Sequence, residues 1–238
     1  MDNAIYATLT RQSGLAKEMA LVANNIANMS TTGFRREGTL FAEHVADLGA
    51  GEPSLSMANA EGRLVNESQG VLQQTGGAFD LAVEGEGYFQ VQTPEGVRLT
   101  RAGAFTPSAE GNLVMSDGAV LLDAGGAPVA VPTDAGPVTI AGDGTMSAGG
   151  QPIGQIGLFR PASPIDLIEA GGTRFRTEGG VEPVEGGQIH QGFLEASNVN
   201  PVSEITRMIA VQRAYEAGQG LLEAEDGRIR SVVQTVTR

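Results

Sequence analysis

No cysteine occurs anywhere in the chain, so neither a disulfide framework nor a thiolate metal site is open to it. Tryptophan is missing as well, and only three tyrosines stand among 238 residues, which leaves few large aromatic platforms. The two histidines, His44 and His190, are far apart, and a lone histidine is far more often structural or solvated than a ligand, so a metal site is discounted. No apolar run approaches the roughly 20 residues needed to span a bilayer. Residues 1–30 lack the basic start and continuous apolar core of a secretory signal, so export is expected to use another route. Positive charge is scarce, with 15 Lys and Arg against 28 Asp and Glu and a net charge of −13. The acidic excess gathers in the middle of the chain, while residues 1–45 and 195–238 are near neutral. That distribution excludes a nucleic-acid surface, which needs clustered Lys and Arg, and leaves the ends suited to packing against neighbours.

A hydrophobic content of 41% is enough for a real core, in one large domain or two smaller ones. The 34 glycines and 11 prolines point to turn-rich β structure, with helices in the minority.

The first helix is written in Ile5, Leu9, Gln12, Ala16, Met19, Ala23 and Ile26, which alternate steps of four and three as a heptad seam does. Leu15 and Val22 widen the apolar face. A helix of about 26 residues is about 39 Å long. It closes on Asn24, Asn25 and Asn28, then Gly33, Phe34, Arg35 and Arg36. Asparagine is a poor interior helix residue because its amide competes for backbone bonds. On spacing alone the triplet reads either as a frayed helix end or as a polar stripe that recognises another helix. Phe34, Leu40, Phe41, Val45 and Leu48 continue helix-compatible spacing until Gly49–Pro53, and 49–62 reads as loop.

From Phe79 the period changes to two. Phe79–Val83, Tyr88–Gln92 and Val97–Arg101 read as strands, the last two forming a hairpin with one polar face across the turn Thr93–Gly96. Turn signals recur about every eight to twelve residues, as in an antiparallel barrel or sandwich. Gly85-Glu86-Gly87 lacks the third glycine and following helix of a phosphate loop and carries acid where an anion would lie. The pairs Glu84/Glu86 and Glu182/Glu185 read as solvated surface, and there is no nucleophile elbow.

Asn200 is a good helix cap and Pro201 a good first helical residue. Met208, Tyr215, Leu222, Ile229 and Val236 hold one apolar heptad position. Its companion mixes Ile205, Gln212, Gln219, Asp226 and Val233. Gly218, Gly220 and Gly227 each cost about 1 kcal/mol against alanine, so this helix needs partners. Flanks such as Leu15, Leu21, Ile209 and Val211 stay available for an interaction surface.

The fold expected is therefore α+β. Heptad helices at 1–30 and 200–238 pair as a coiled-coil-like stem, 31–75 and 185–199 connect, and an antiparallel all-β outer domain fills 76–184.

Ala23–Asn28 with Thr32–Arg36 resembles the N-terminal signature of the bacterial flagellar rod and hook axial proteins. Leu194–Asn200 with Met208-Ile209, Gln212-Arg213 and Tyr215-Glu216 is similar to their C-terminal signature, and Gly87–Val91 through Leu99–Phe105 to their β domain. The start Met1–Tyr6 and the modest length resemble the proximal-rod members, with distal-rod members as the alternative. The resemblance implies a structural subunit without enzymatic activity or cofactor, exported through the flagellar type III apparatus without a cleaved signal. It implies a homo- and hetero-polymer with proximal- and distal-rod proteins, and no nucleic-acid or small-molecule partner. The assembly interface it implies comprises Ile5, Leu9, Met19, Asn24, Asn25, Ile26, Asn28, Gly33, Phe34, Asn198, Asn200, Ile205, Met208, Ile209, Gln212, Arg213, Tyr215 and Leu222. The terminal helices are expected to order on assembly. The rival classes are a polysaccharide-binding or phage-tail-like β module, which has little use for Asn-rich terminal helices, and a glycosidase, against which the missing tryptophan weighs.

Overall fold

The computed structural model describes residues 2–46, 55–132, 136–184 and 186–236, and divides into two compact units. The first comprises residues 1–27, 37–64 and 200–238; the second comprises 28–36 and 65–199. The architecture is α+β, with sheets that are mostly antiparallel.

In the first unit, helix α1 spans Asp2–Ala27 and helix α2 spans Pro201–Val236. Asn200 caps α2 as its side chain predicts, Oδ1 accepting from Ser203 N–H at 3.1 Å. The two helices run antiparallel. Gln12 Nε2 donates to the Tyr215 carbonyl at 2.8 Å, Arg207 pairs with Glu18, and Asn25 Nδ2 donates to Glu204 Oε2 at 3.2 Å. Burial along α1 follows Leu15, Glu18, Val22 and Asn25, whereas Ala16 and Ala23 of the expected seam are exposed. Gln12 of that seam is buried as read, but from Leu15 onward the inward line is displaced by one residue. Hydrophobicity cannot reveal this, because Glu18 and Asn25 go inside as polar groups that find partners on the same chain.

Burial on α2 has the same form. Met208, Tyr215 and Leu222 are half-buried as their heptad predicts, but their companions inside are Glu204 and Val211, and Ile205, Gln212 and Gln219 are exposed. Gly218, which weakens an isolated helix, makes room here: a Cβ at that position would lie 2.2 Å from Gln12 Nε2.

Residues Glu37–Ala46 and Leu55–Val65 form a two-stranded sheet in this unit. The helix-compatible spacing read over 34–48 is thus overridden between 37 and 46, and the loop read over 49–62 is strand from Leu55; the remainder, 49–54, lies outside the described residues. Thr39, Phe41 and Val45 belong to residue types that favour an extended chain.

The second unit holds the main core, in which Leu81, Val83, Phe89, Val91, Leu113, Leu121, Met146, Ile156 and Ile189 are almost fully buried. The predicted hairpin is present, Phe89–Thr93 pairing with Gly96–Thr100 from Phe89↔Thr100 to Thr93↔Gly96. Its first strand has no clean polar face, because Phe89, Gln90 and Val91 are all buried. Around it the strands run in the order Ile168–Glu169, Arg174–Arg176, Gly96–Thr100, Phe89–Thr93, Val120–Leu121, Leu113–Val114, Thr106–Pro107. This seven-stranded sheet is open, not the closed barrel that turn spacing allowed, and smaller sheets pack with it. The reason lies in strand length: the outer strands hold only two or three residues, too short a ladder to meet around a cylinder.

Gly103 marks the tightest packing in the unit, since its N–H neighbour Leu81 donates to the Gly103 carbonyl at 2.9 Å and a Cβ there would lie 1.7 Å from the Leu81 carbonyl oxygen. Gly103→Ala is expected to destabilise the protein by about 1–3 kcal/mol through forced backbone displacement, read as a lower thermal midpoint.

Candidate assembly site

The segment Asn28–Arg36 leaves the N-terminal signature through one glycine. Gly33 adopts φ +71° and donates its N–H to the Glu195 carbonyl at 2.7 Å. A Cβ there would lie 2.2 Å from Ala102 N, so both the conformation and the approach require glycine. Arg36 N–H then donates to Asn198 Oδ1 at 2.6 Å, and Asn198 Nδ2 donates to the carbonyls of Asn66 and Ser68. The two terminal signatures, distant in sequence, are thereby bonded to each other.

Beneath this junction lies a buried charge cluster. Glu195 Oε1 sits 2.9 Å from Arg35 Nη1 and Glu195 Oε2 sits 3.3 Å from Arg101 Nη1, with all three side chains 3% exposed or less. Gly70 N–H donates to the same carboxylate at 2.7 Å. Arg35 also reaches the Ser68 carbonyl, and Arg101 reaches those of Val83 and Gly85. That use of Gly85 explains the Gly-Glu-Gly turn better than any anion site. Two guanidiniums against one carboxylate leave the cluster one positive charge in excess. Burial, and Arg35 after it, pull the Arg101 guanidinium below the usual range, while Glu195 opposes them. The Arg101 guanidinium also stands 5.1 Å from the Tyr88 ring centre. The Tyr88 phenol is pushed up to about 12, by burial first and by the charge of Glu67 second, with Arg35 and Arg101 pulling the other way.

The residues expected at an assembly interface fall into three groups. Asn25, Gly33 and Phe34 are buried in their own subunit, and Asn198 and Asn200 are engaged as bridge and cap. Met19, Asn24, Ile26, Asn28, Met208, Tyr215 and Leu222 are half-buried. Leu9, Ile205, Ile209, Gln212 and Arg213 are exposed, and the side chain of Ile5 lies outside the described ones. Val202, Ile205 and Ile209, at 74%, 50% and 46% exposure, recur at helical spacing as an apolar stripe on α2. Hydrophobic periodicity missed Arg35, Arg101 and Glu195, because a charged residue reads as surface until its partners are known. Of the carboxylates considered for catalysis, Glu84, Glu86 and Glu182 are surface groups, Glu84 contacting His190 and Glu86 and Glu182 both approaching Arg160, and Glu185 lies outside the described residues. Among the described residues no cluster of three His, Cys, Asp or Glu is placed to hold a metal, and no helix is long and apolar enough to cross a membrane.

Comparison with known proteins matches three stretches. Residues 5–35 match the family described as flagella basal body rod protein. Residues 82–148 match the flagellar hook protein FlgE/F/G D1 domain, and 190–235 match the flagellar basal body rod FlgEFG protein C-terminal family. The chain is 42% identical over 239 residues to the flagellar basal-body rod protein FlgF of Caulobacter vibrioides, covering 98% of each. It is 34% identical to that of Mesorhizobium japonicum over 99% of this chain and 98% of the relative. It is also 30% identical to the flagellar basal-body rod protein FlgG of Bacillus subtilis, again over 98% of each.

Glu195→Ala leaves two buried arginines without their counter-charge and is expected to cost about 3–5 kcal/mol. Denaturant unfolding of the full chain measures it. Tyrosine ionises near 10.0 when unfolded, below the folded value of Tyr88. The folded state therefore holds this proton more tightly, and the stability it contributes is complete below about pH 10 and lost as pH rises through about 12. The phenolate absorbance of the protein minus that of Tyr88→Phe should accordingly appear near pH 12, and the variant should lose less stability across that window.

Proposed function

The chain belongs to the flagellar basal-body rod protein family and is a structural subunit of the rod, and we propose that it polymerises through its terminal helices as part of the proximal rod. The observation that carries this reading is the stripe Val202, Ile205 and Ile209, exposed on a helix that is otherwise held by α1. Burial of that stripe against helices of neighbouring rod subunits, homologous or identical, converts exposed apolar surface into association energy of about 25 cal/mol per Å². In this reading the paired helices act as a coiled-coil-like stem and the β unit faces outward.

The role is structural rather than catalytic, and torque passes through many shallow contacts. The proximal position is favoured by higher identity to FlgF than to FlgG proteins, 42% and 34% against 30%. Passage through the flagellar type III apparatus into the periplasm, without a cleaved signal, accords with a stem whose glycines and polar interior leave it weak before assembly. Met19, Asn24, Ile26, Asn28, Gln212 and Arg213 complete the proposed interface around the stripe.

Ile205→Arg combined with Ile209→Arg tests it. Both positions are about half exposed, so the monomer should keep its melting temperature within a few degrees. Cells carrying this chain should nevertheless stop rod growth at a proximal stage and fail to swim. Complete rods and normal swimming would overturn the assembly reading.

A further inference from the structure

An open cleft of about 160 Å³ lies on the second unit, where the turn between Val138–Ile140 and Thr145–Ala148 meets the strand Gln188–Gln191. Its base is hydrocarbon, formed by the buried Ile156, Leu158 and Ile189, and Pro183 and Val184 continue that apolar wall out to solvent. Gly187 lets the wall draw in, since a Cβ there would lie 2.7 Å from Leu158 Cδ1.

The opposite rim carries acceptors. Asp143 is exposed on the turn, and its two carboxylate oxygens accept the N–H and the hydroxyl of Thr145, each at 2.9 Å, so the charge is held in one place. Those bonds, the N–H first, keep the Asp143 carboxyl below the usual carboxylate range. Gln155, exposed beside it, spends Nε2 on the Asp143 carbonyl at 3.1 Å and leaves Oε1 to accept. None of the described lining residues is Lys, Arg or His.

An apolar wall facing a fixed carboxylate selects a particular chemistry. An anion is repelled, a bare ammonium gains nothing from the hydrocarbon, and a neutral apolar group leaves the carboxylate to water. A cation on a hydrocarbon stem uses both sides at once, and that is the form of lysine and arginine side chains. The size agrees, since a cavity of about 150 Å³ takes a molecule as large as benzene.

We propose that this cleft docks a lysine or arginine side chain of a different protein beside the rod, its stem along Pro183 and Val184 and its charge at Asp143 and Gln155. Charge complementarity names the source. The β unit is acidic, and its own Arg98, Arg160, Arg174 and Arg176 each meet a carboxylate of the same subunit, so the complement is a basic surface on another protein. The chemistry of the cleft is independent of how the terminal helices assemble; only the neighbour's place beside the rod rests on the proposed function.

The test titrates the full chain with n-butylammonium and n-butylguanidinium, and with n-butanol, n-butyrate and ammonium as comparisons, while amide shifts are followed by NMR. The two stemmed cations should shift Gly157, Gly187 and Ile189 and bind about tenfold or more tightly than any comparison. Asp143→Asn, which keeps an acceptor for Thr145, should remove that advantage. Equal binding of n-butanol, shifts elsewhere on the protein, or unchanged cation binding by Asp143→Asn would each overturn the site. In cells, a photo-reactive amino acid at Gln188, exposed beside the cleft, should give an adduct in isolated basal bodies that maps to a basic segment of another protein. An adduct between copies of this chain, or none in complete rods, would overturn the docking role. Probe binding is read without any rod, whereas the Ile205 and Ile209 variant reports on helix assembly alone, so the two readings fail separately.

Discussion

A single carboxylate, Glu195, ties the Asn28–Arg36 segment to the β core of the second unit. Its two oxygens face Arg35 from the N-terminal signature and Arg101 from the end of a core strand, and its backbone carbonyl takes the Gly33 N–H. Buried ion pairs give little net stability, because desolvation consumes most of the attraction; what they impose is geometry. Here the geometry is a junction of four segments, including the 68–70 turn, whose Gly70 N–H completes the carboxylate. Asn198 repeats the arrangement three residues along the chain, accepting from Arg36 and donating to residues 66 and 68. A junction of charged and directional bonds resists sliding in a way that apolar contact alone does not.

The helix pair is built on the opposite principle. Its inward line mixes Leu15, Leu21, Val22 and Val211 with Gln12, Glu18, Asn25 and Glu204, and three glycines interrupt α2. Polar groups inside a helix pair fix register, since a slip of one turn strands each of them, and they hold stability down at the same time. The apolar stripe at Val202, Ile205 and Ile209 is a place where the subunit alone leaves apolar surface uncovered.

Much of the fold was legible. The helix cap at Asn200-Pro201, the hairpin across Thr93–Gly96 and the heptad of Met208, Tyr215 and Leu222 all follow from local rules, since capping, turn geometry and side-chain period act over a few residues. The displacement of the α1 seam was not legible, because Glu18 and Asn25, which go inside beside Leu15 and Val22, are polar, and their partners Arg207 and Glu204 in α2 are what make that tolerable. The strand over Glu37–Ala46 was missed for a related reason: apolar spacing there suits a helix as well as a strand, and the pairing segment Leu55–Val65 decides between them.

The paired Asn-rich and Gly-Phe-Arg-Arg signatures point, from sequence alone, to an axial structural subunit with helical ends, because those motifs need only be read in order. What each signature residue does was decided by tertiary structure. Gly33, Asn25 and Asn198 are spent on contacts within the subunit, whereas Leu9, Ile205 and Ile209 stay exposed. Burial is a property of the whole chain in space, and a residue's own chemistry does not reveal which side of it another segment will cover.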